Sequence, residues 1–366
     1  MAPSSANNVD IVLASGLTGG NVTAANNIMI VNTSGAVSAG ALSAGNTIAV
    51  TNGGAVTLAS AAGSDITLAS TANAINVNTV TARGALTGTA ATALTLGTAT
   101  AGSTVALTGQ TINATTLTAA TNITGTASGA MTVGSARATG GNLTLNAAGA
   151  LSVTTGGALG DVRLTSTNSG NITTGTLSSG SAFMGGTTGG MPGAGDIVIT
   201  SDGNATMTGN SSAGRNLNVT ARNLISVGGV ANGTAIDLRS TDIAVNTTSG
   251  RIGEQGRTTL AQLTNTGTGV TTIGGAGVTT GYSLSNAEAQ RIFAGDIIIT
   301  AARTIAPSTG AVAPLNDAAP DVVLDALTLT GAMGQTGATA GNIGATGRLR
   351  IETPGKLRTV GAVAIS

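Results

Sequence analysis

The sequence contains no cysteine, no histidine and no tryptophan. Lack of cysteine excludes disulfides, thiolate metal sites and a cysteine nucleophile. It also suits a chain exported unfolded through an oxidising compartment. Lack of histidine excludes Ser-His-Asp catalysis, an imidazole base and histidine-bound metal. Aromatic residues make up 1% of the chain, namely Phe183, Phe293 and Tyr282. A broad core leans on large rings for volume, so this core must be narrow and filled by Ile, Leu, Val, Ala and a few Met. Charge is scarce as well: 8% of residues, with 14 basic and 14 acidic side chains cancelling, against about 25% in an average domain. Lys356 is the one lysine, and no basic residue precedes Arg83. A clustered basic face for nucleic acid is therefore missing. No apolar run reaches the roughly 18 residues of a membrane-spanning helix. Met1-Ala-Pro-Ser-Ser-Ala6 has neither the charged nor the apolar region of a signal peptide, so an exported chain is expected here as a mature or internal piece. Disorder is excluded in turn, because mean hydropathy is +0.34 whereas disordered chains combine low hydrophobicity with high net charge.

What is present is a short alternating pattern that recurs about every twenty residues. Thr47-Ile-Ala-Val-Thr51, Asp65-Ile-Thr-Leu-Ala69, Asn142-Leu-Thr-Leu-Asn146, Asp161-Val-Arg-Leu-Thr165 and Asp196-Ile-Val-Ile-Thr200 are examples, each set between Gly, Asn or Ser breaks. Period-two alternation turns Ile, Leu and Val inward and Thr, Ser, Asn and Ala outward. Gly and Asn at the breaks are expected to supply positive-φ corners. One such strand cannot bury its apolar face alone; coils stacked on one another can. An antiparallel sandwich also has short strands and turn signals. The run of coils over more than two hundred residues, without long loops or aromatic corners, favours an all-β parallel β-helix. About eighteen coils at about 4.8 Å each would make a rod roughly 80–90 Å long.

Two stretches are expected. Residues 1–250 read as a regular β-helix rod with a Gly-rich loop at 180–195. Residues 251–366 read as a less regular continuation with a short helix at 285–294 and a Pro-containing loop at 303–321. Ser285 and Glu288 have the spacing of a capping box, Gly295 is placed as the helix stop, and the strand Asp296-Ile-Ile-Ile-Thr300 follows.

Chemistry-bearing candidates are sparse. Asp237 and Arg239 share an outward face at i and i+2, with Asp242 close in sequence; an exposed ion pair accounts for the first two. Asp161 and Arg163 repeat that spacing. Asp196 and Asp296 each follow a Gly and open a strand, which assigns them to strand capping. Gly156-Gly-Ala-Leu-Gly-Asp-Val-Arg-Leu164 approaches the calcium nonapeptide, but its third glycine is misplaced and it has no tandem copy. No phosphate-binding G-x-x-x-x-G-K-[ST] occurs. No catalytic, cofactor-binding or metal residue is assigned, and no cofactor is expected. Outward threonines raise ice binding, although the outward positions mix Thr with Ser, Asn, Ala, Asp and Arg.

Coils such as Gly141-Asn-Leu-Thr-Leu-Asn-Ala-Ala-Gly-Ala-Leu-Ser-Val153, and the insertion Leu284-Ser-Asn-Ala-Glu-Ala-Gln-Arg-Ile292, resemble the rods of filamentous-haemagglutinin-like exoproteins. Autotransporter passengers look similar. The resemblance implies a right-handed parallel β-helix, secreted by a Gram-negative bacterium through an outer-membrane partner. It further implies roles in adhesion, cell–cell contact and biofilm formation. The chain departs from the family in lacking an N-P-N-G-I-type secretion signature and an outer-membrane barrel pattern. The expectation is a non-enzymatic structural or adhesive exoprotein, extracellular or at the cell surface. Its expected partners are a cell-surface or glycan receptor, or further copies of itself, with neither nucleic acid nor membrane insertion. Strand edges at Asp10-Ile-Val-Leu13 and Leu357-Arg-Thr-Val360 lack an obvious polar cap, and uncovered edges template pairing. A polysaccharide lyase or hydrolase on the same fold is the alternative. It requires Asp237, Arg239 and Asp242 to converge.

Overall fold

The computed structural model describes residues 7–180, 183, 195–254, 257–267, 269–276, 281–301, 321–329 and 343–365. The chain is a parallel β-solenoid of about 12 turns with coils of roughly 20 residues. Two compact units divide it, Met1–Arg163 and Leu164–Ser366. The change in regularity expected at 250 thus falls inside the second unit. The expected Gly-rich loop at 180–195 and Pro-containing loop at 303–321 lie almost wholly outside the described residues.

The first unit shows the coil in its most regular form. Strands such as Ile48–Asn52, Ile66–Ser70 and Leu86–Ala90 stack in parallel, Ile48 on Ile66 and Ile66 on Leu86. Alternation of β-branched or leucine side chains with Thr and Ala suits a half-buried pleated surface. A second strand, eight or nine residues long in most coils, follows, for example Val56–Gly63 and Ile75–Ala82. Its inward residues are Val56, Leu58, Ala61 and Gly63, so two consecutive residues, Ala59 and Ser60, turn outward in its middle. That phase slip recurs in Ile75–Ala82 and Met131–Ala138. It packs two of the expected short strands into one continuous element.

The core is narrow and made of stacked columns. Ile28, Ile48, Ile66, Leu86, Val105, Ile123 and Leu143 form one, each at most 1% exposed. The neighbouring column alternates large and absent side chains: Leu68, Gly88, Leu107, Gly125, Leu145. A polar column starts at Asn32, whose amide donates to Asn52 Oδ1 at 2.9 Å in the interior, while Asn52 donates to Ala55 O at 2.7 Å.

The corners correct one expectation. Positive φ was expected at the Gly and Asn breaks; among the described residues of the first unit only Gly35, at φ 78°, adopts it. Most of the other corner glycines are required by space, Gly19 and Gly20 excepted. A Cβ at Gly102 would lie 2.0 Å from Arg83 O, and one at Gly45 would lie 1.9 Å from Ala25 O.

In the second unit the ladder continues through Ile197–Ser201, Asn216–Ala221, Ala235–Ser240 and Leu260–Asn265. The coils then lengthen. Leu260 pairs with Asp296, and Asp296 pairs with Arg348, 52 residues on. The turns number about twelve and not eighteen, and these long connections account for part of the difference. A four-stranded parallel sheet comprises Thr271–Gly274, Tyr282–Leu284, Val322–Asp325 and Leu357–Val360.

The helix expected at 285–294 is shorter. It spans Asn286–Ala289, with the capping box of Ser285 and Glu288 formed and Gln290 as its C-cap. Ile292–Ala301 is a strand. Ile252 N–H donates to Arg291 O at 2.9 Å and Ile252 pairs with Ile292, so ladder pairing captures the chain directly after the first helical turn. Gly295 is therefore no helix stop; it lies inside the strand, between the residues paired to Arg251–Gly253 and those paired to Leu260–Asn265.

Candidate functional site

Outward positions of the first unit form a lattice fixed by strand register. On the five-residue strands, Thr67, Thr87, Ala106, Thr124 and Thr144 stand in one row. Ala69, Thr89, Thr108, Thr126 and Asn146 stand in the next. On the longer strands, Thr79 and Thr81 stack on Thr98 and Thr100, which stack on Thr116 and Thr118. Rows repeat at about 4.8 Å between coils and about 6.6 Å along each strand. None of these side chains carries charge or exceeds threonine and asparagine in size, so these rows are flat, hydroxyl- and methyl-covered and neutral; the row of Thr81, Thr100 and Thr118 meets a charge at the next coil, Arg137.

Among the described residues seven Arg–carboxylate pairs occur, while Arg83, Arg257 and Arg291 donate to backbone carbonyls. Arg239 donates to Asp237 Oδ2 from Nε at 2.8 Å, with Nη2 at 2.6 Å from the same oxygen. That bond holds the Arg239 guanidinium pKa above its usual value. In register above and below Asp237 are Asn218 and Gln262, and beside Arg239 are Thr220 and Thr264. No second carboxylate approaches from these positions. Arg163 and Asp161 make the same intra-strand pair at 2.6 Å. Such exposed pairs contribute about 0–1 kcal/mol each.

Asp242 does not join Asp237 and Arg239. It begins the strand Asp242–Val245, which pairs with Leu224–Val227 in a different sheet row from Ala235–Ser240. Its Oδ1 accepts the amides of Ile243 at 2.9 Å and Ser283 at 3.2 Å. Burial raises its pKa, Glu288 nearby adds to the rise, and the two amide bonds oppose it. Tyr282 lies fully buried beside both carboxylates, its hydroxyl without a hydrogen-bond partner among the described residues and its pKa pushed far upward by burial. Glu288 Oε1 accepts Val245 N–H at 3.0 Å while Oε2 accepts Ser285 N–H at 2.9 Å. The group is a latch that fastens the helical turn to a solenoid strand.

Asp196 precedes the strand Ile197–Ser201 and caps as expected, whereas Asp296, expected to open a strand, lies inside Ile292–Ala301 and binds an amide of the strand paired to it. Asp196 Oδ1 accepts Asn216 N–H at 3.0 Å, and Asp296 Oδ1 accepts Arg348 N–H at 3.2 Å. Their arginine partners were not foreseen. Arg215 grips Asp196 with Nε at 2.9 Å and Nη2 at 2.7 Å. Arg348 Nη2 donates to Asp296 at 2.9 Å, holding that carboxyl below its ordinary pKa. Counting one coil length forward from each Asp would have found Arg215, and likewise Arg222 opposite Asp202. Arg348 sits beyond an enlarged coil and gives no such signal.

A cavity of about 530 Å³ opens where the last five-residue ladder ends. Ile297, Leu349 and Ile351 line it, and Asp296, Arg348 and Arg350 form its rim. Leu349 and Ile351 are half-buried although they point to the core side, and Leu357 and Val360 are 53% and 56% exposed. Among the described residues no cluster of three metal-binding side chains occurs, and no helix is long and apolar enough to cross a membrane. In comparisons with family models, curated proteins and solved structures, the chain finds no match.

Proposed function

We propose that the protein is a secreted, non-enzymatic structural exoprotein of the filamentous-haemagglutinin-like kind. Its role is to present an adhesive surface to a cell-surface or glycan receptor, outside the cell or on its envelope. One observation carries the reading: flat, neutral rows of Thr, Ala and Asn held in register over successive coils. A surface of that kind offers many weak, repeated hydrogen-bonding and methyl contacts, and repetition converts weak contacts into avidity. The resemblance of the coils to such rods supports secretion through an outer-membrane partner. Purified chain applied to bacterial and host cell surfaces, and to an array of glycans, is expected to bind saturably without releasing sugar. Cleavage of a uronate-containing polysaccharide would overturn the reading in favour of the enzyme alternative, whose three candidate residues Asp237, Arg239 and Asp242 are divided between two strands.

The three stacked Thr-x-Thr pairs at 79/81, 98/100 and 116/118 favour one second reading, a water-ordering face that binds ice. Thermal hysteresis in a freezing assay selects it, and its absence dismisses it.

A further inference from the structure

The two extreme coils of the described solenoid fit each other. Among the described residues Asn8–Leu13 pairs on one edge, with Asn27–Asn32. Arg348–Glu352 likewise pairs only with Asp296–Thr300 among the described residues. Both strands carry apolar residues at the core-facing positions, Val9 and Ile11 on the first, Leu349 and Ile351 on the second. Ile11, Leu349 and Ile351 are half-buried, whereas inward residues of the columns between them, such as Ile48 and Ile66, are buried.

We infer that Asn8–Leu13 of a second copy docks on Arg348–Glu352, continuing the parallel ladder from one chain into the next. The inference deepens the structural reading above and rests on it. In the register that aligns the core columns, Val9 covers Leu349 and Ile11 covers Ile351. The residue between them on each strand then meets its counterpart: Asp10 stands over Arg350. Among the described residues Asp10 makes no ion pair, and Arg350 is 70% exposed and bonded along its own strand to Glu352 at 2.8 Å. The same shift along the sequence carries round the corner. It sets half-buried Leu17, which pairs with Val37, over Leu357, which is 53% exposed. One register therefore satisfies two core columns, one charge pair and the next apolar position. Extended-strand addition supplies the backbone hydrogen bonds, and the alternate side chains supply the specificity.

The occupant is a second copy because that chain carries both halves of the match. Opposite charges across an interface fix register and reject wrong partners. The test is sedimentation velocity and negative-stain electron microscopy of the full chain over a range of concentrations. Wild-type chain is expected to form end-to-end assemblies whose onset shifts to higher concentration in 1 M salt. Asp10→Arg alone, or Arg350→Asp alone, is expected to raise the onset concentration at least about tenfold, and the two together are expected to restore it. Both positions are exposed, so each variant should keep the wild-type circular dichroism; Leu357→Asp, at the opposite edge of the match, should block assembly as well. A single species at every concentration overturns the inference, as does assembly indifferent to the charge reversals. A dispersed chain that still binds cells would refute this interface and leave the adhesive reading intact. Assemblies that bind no surface would do the reverse.

Discussion

Asp65 and Gly84 show how one residue dictates another a coil away. Asp65 Oδ1 accepts Ala85 N–H at 2.7 Å, and a Cβ on Gly84 would stand 2.3 Å from that same oxygen. The side chain that caps one coil occupies the space a side chain would need on the next. Asn122 with Gly141, Asn142 with Gly160 and Asn171 with Gly203 repeat the arrangement. Gly84→Ala is therefore expected to cost about 1–3 kcal/mol through overpacking. In an Asp65→Ala background the same change should cost much less, since the nearest remaining atom is Ser64 O at 3.3 Å. Denaturant titration of both single variants and the double measures that coupling, and strictly additive costs would sink the account. The corner glycines also mark where sequence reading stopped. Period, strand positions and the capping role of Asp196 were legible, because alternation and strand-opening polar residues are local signals; Asp296, expected to open a strand, lies inside Ile292–Ala301 because pairing at Ile292 starts the strand earlier. Why the glycines are needed was not, because the obstacle belongs to the coil below. Reading Asn or Asp forward by one coil to the next Gly recovers it.

The element most exposed to misreading is the excursion around Tyr282. Its capping box was legible from Ser285 and Glu288, since that motif is contained in four residues. Its length was not, because ladder pairing at Ile252 and Ile292 ends the helix from outside. What fastens it is the carboxylate pair of Asp242 and Glu288 against the strand Asp242–Val245. Asp242 has its pKa raised by burial, so the folded state holds a proton that the unfolded chain releases at lower pH. By linkage, its ionisation penalises the fold as pH climbs from about 4, the ordinary aspartate value, through the raised one. Asp242→Asn keeps an oxygen for the Ile243 and Ser283 amides and removes the charge. The variant is expected to melt slightly above wild type at pH 7, with the difference vanishing towards pH 3, where both side chains are neutral. Asp242→Ala, which strips both amides of their acceptor, should melt below wild type at either pH. Melting curves from pH 3 to 8 decide the matter, and an Asn variant less stable than wild type at neutral pH would show that the two amide bonds outweigh burial.

Across the molecule, each coil contacts chiefly the coils before and after it, so stability should behave as a sum of local terms and nearest-neighbour interfaces. The column Leu68, Gly88, Leu107, Gly125, Leu145 offers the sharpest test. Its glycines are empty because leucines from adjacent coils fill their places. A Cβ on Gly125 would lie 2.9 Å from Leu145 Cδ2 and 3.2 Å from Met131 Cε. Gly125→Val should therefore cost about 1–3 kcal/mol. In a globule with a shared core, that loss would lower protection everywhere. In a solenoid it should raise amide exchange in the coils holding Leu107, Gly125 and Leu145 and fade within a few coils, leaving Leu217–Val219 in the second unit as protected as in wild type. A Leu145→Ala change in the same chain should recover part of the loss by vacating the space the valine needs, although alone it opens a cavity. Hydrogen-exchange mass spectrometry of the three variants resolves both points. Uniform loss of protection along the chain would mean that the coils unfold together and that the columns couple over far more than their neighbours. Loss confined to the altered coils would mean that the surface rows can tolerate local damage without losing their register elsewhere, as a presenting surface built from repeats requires.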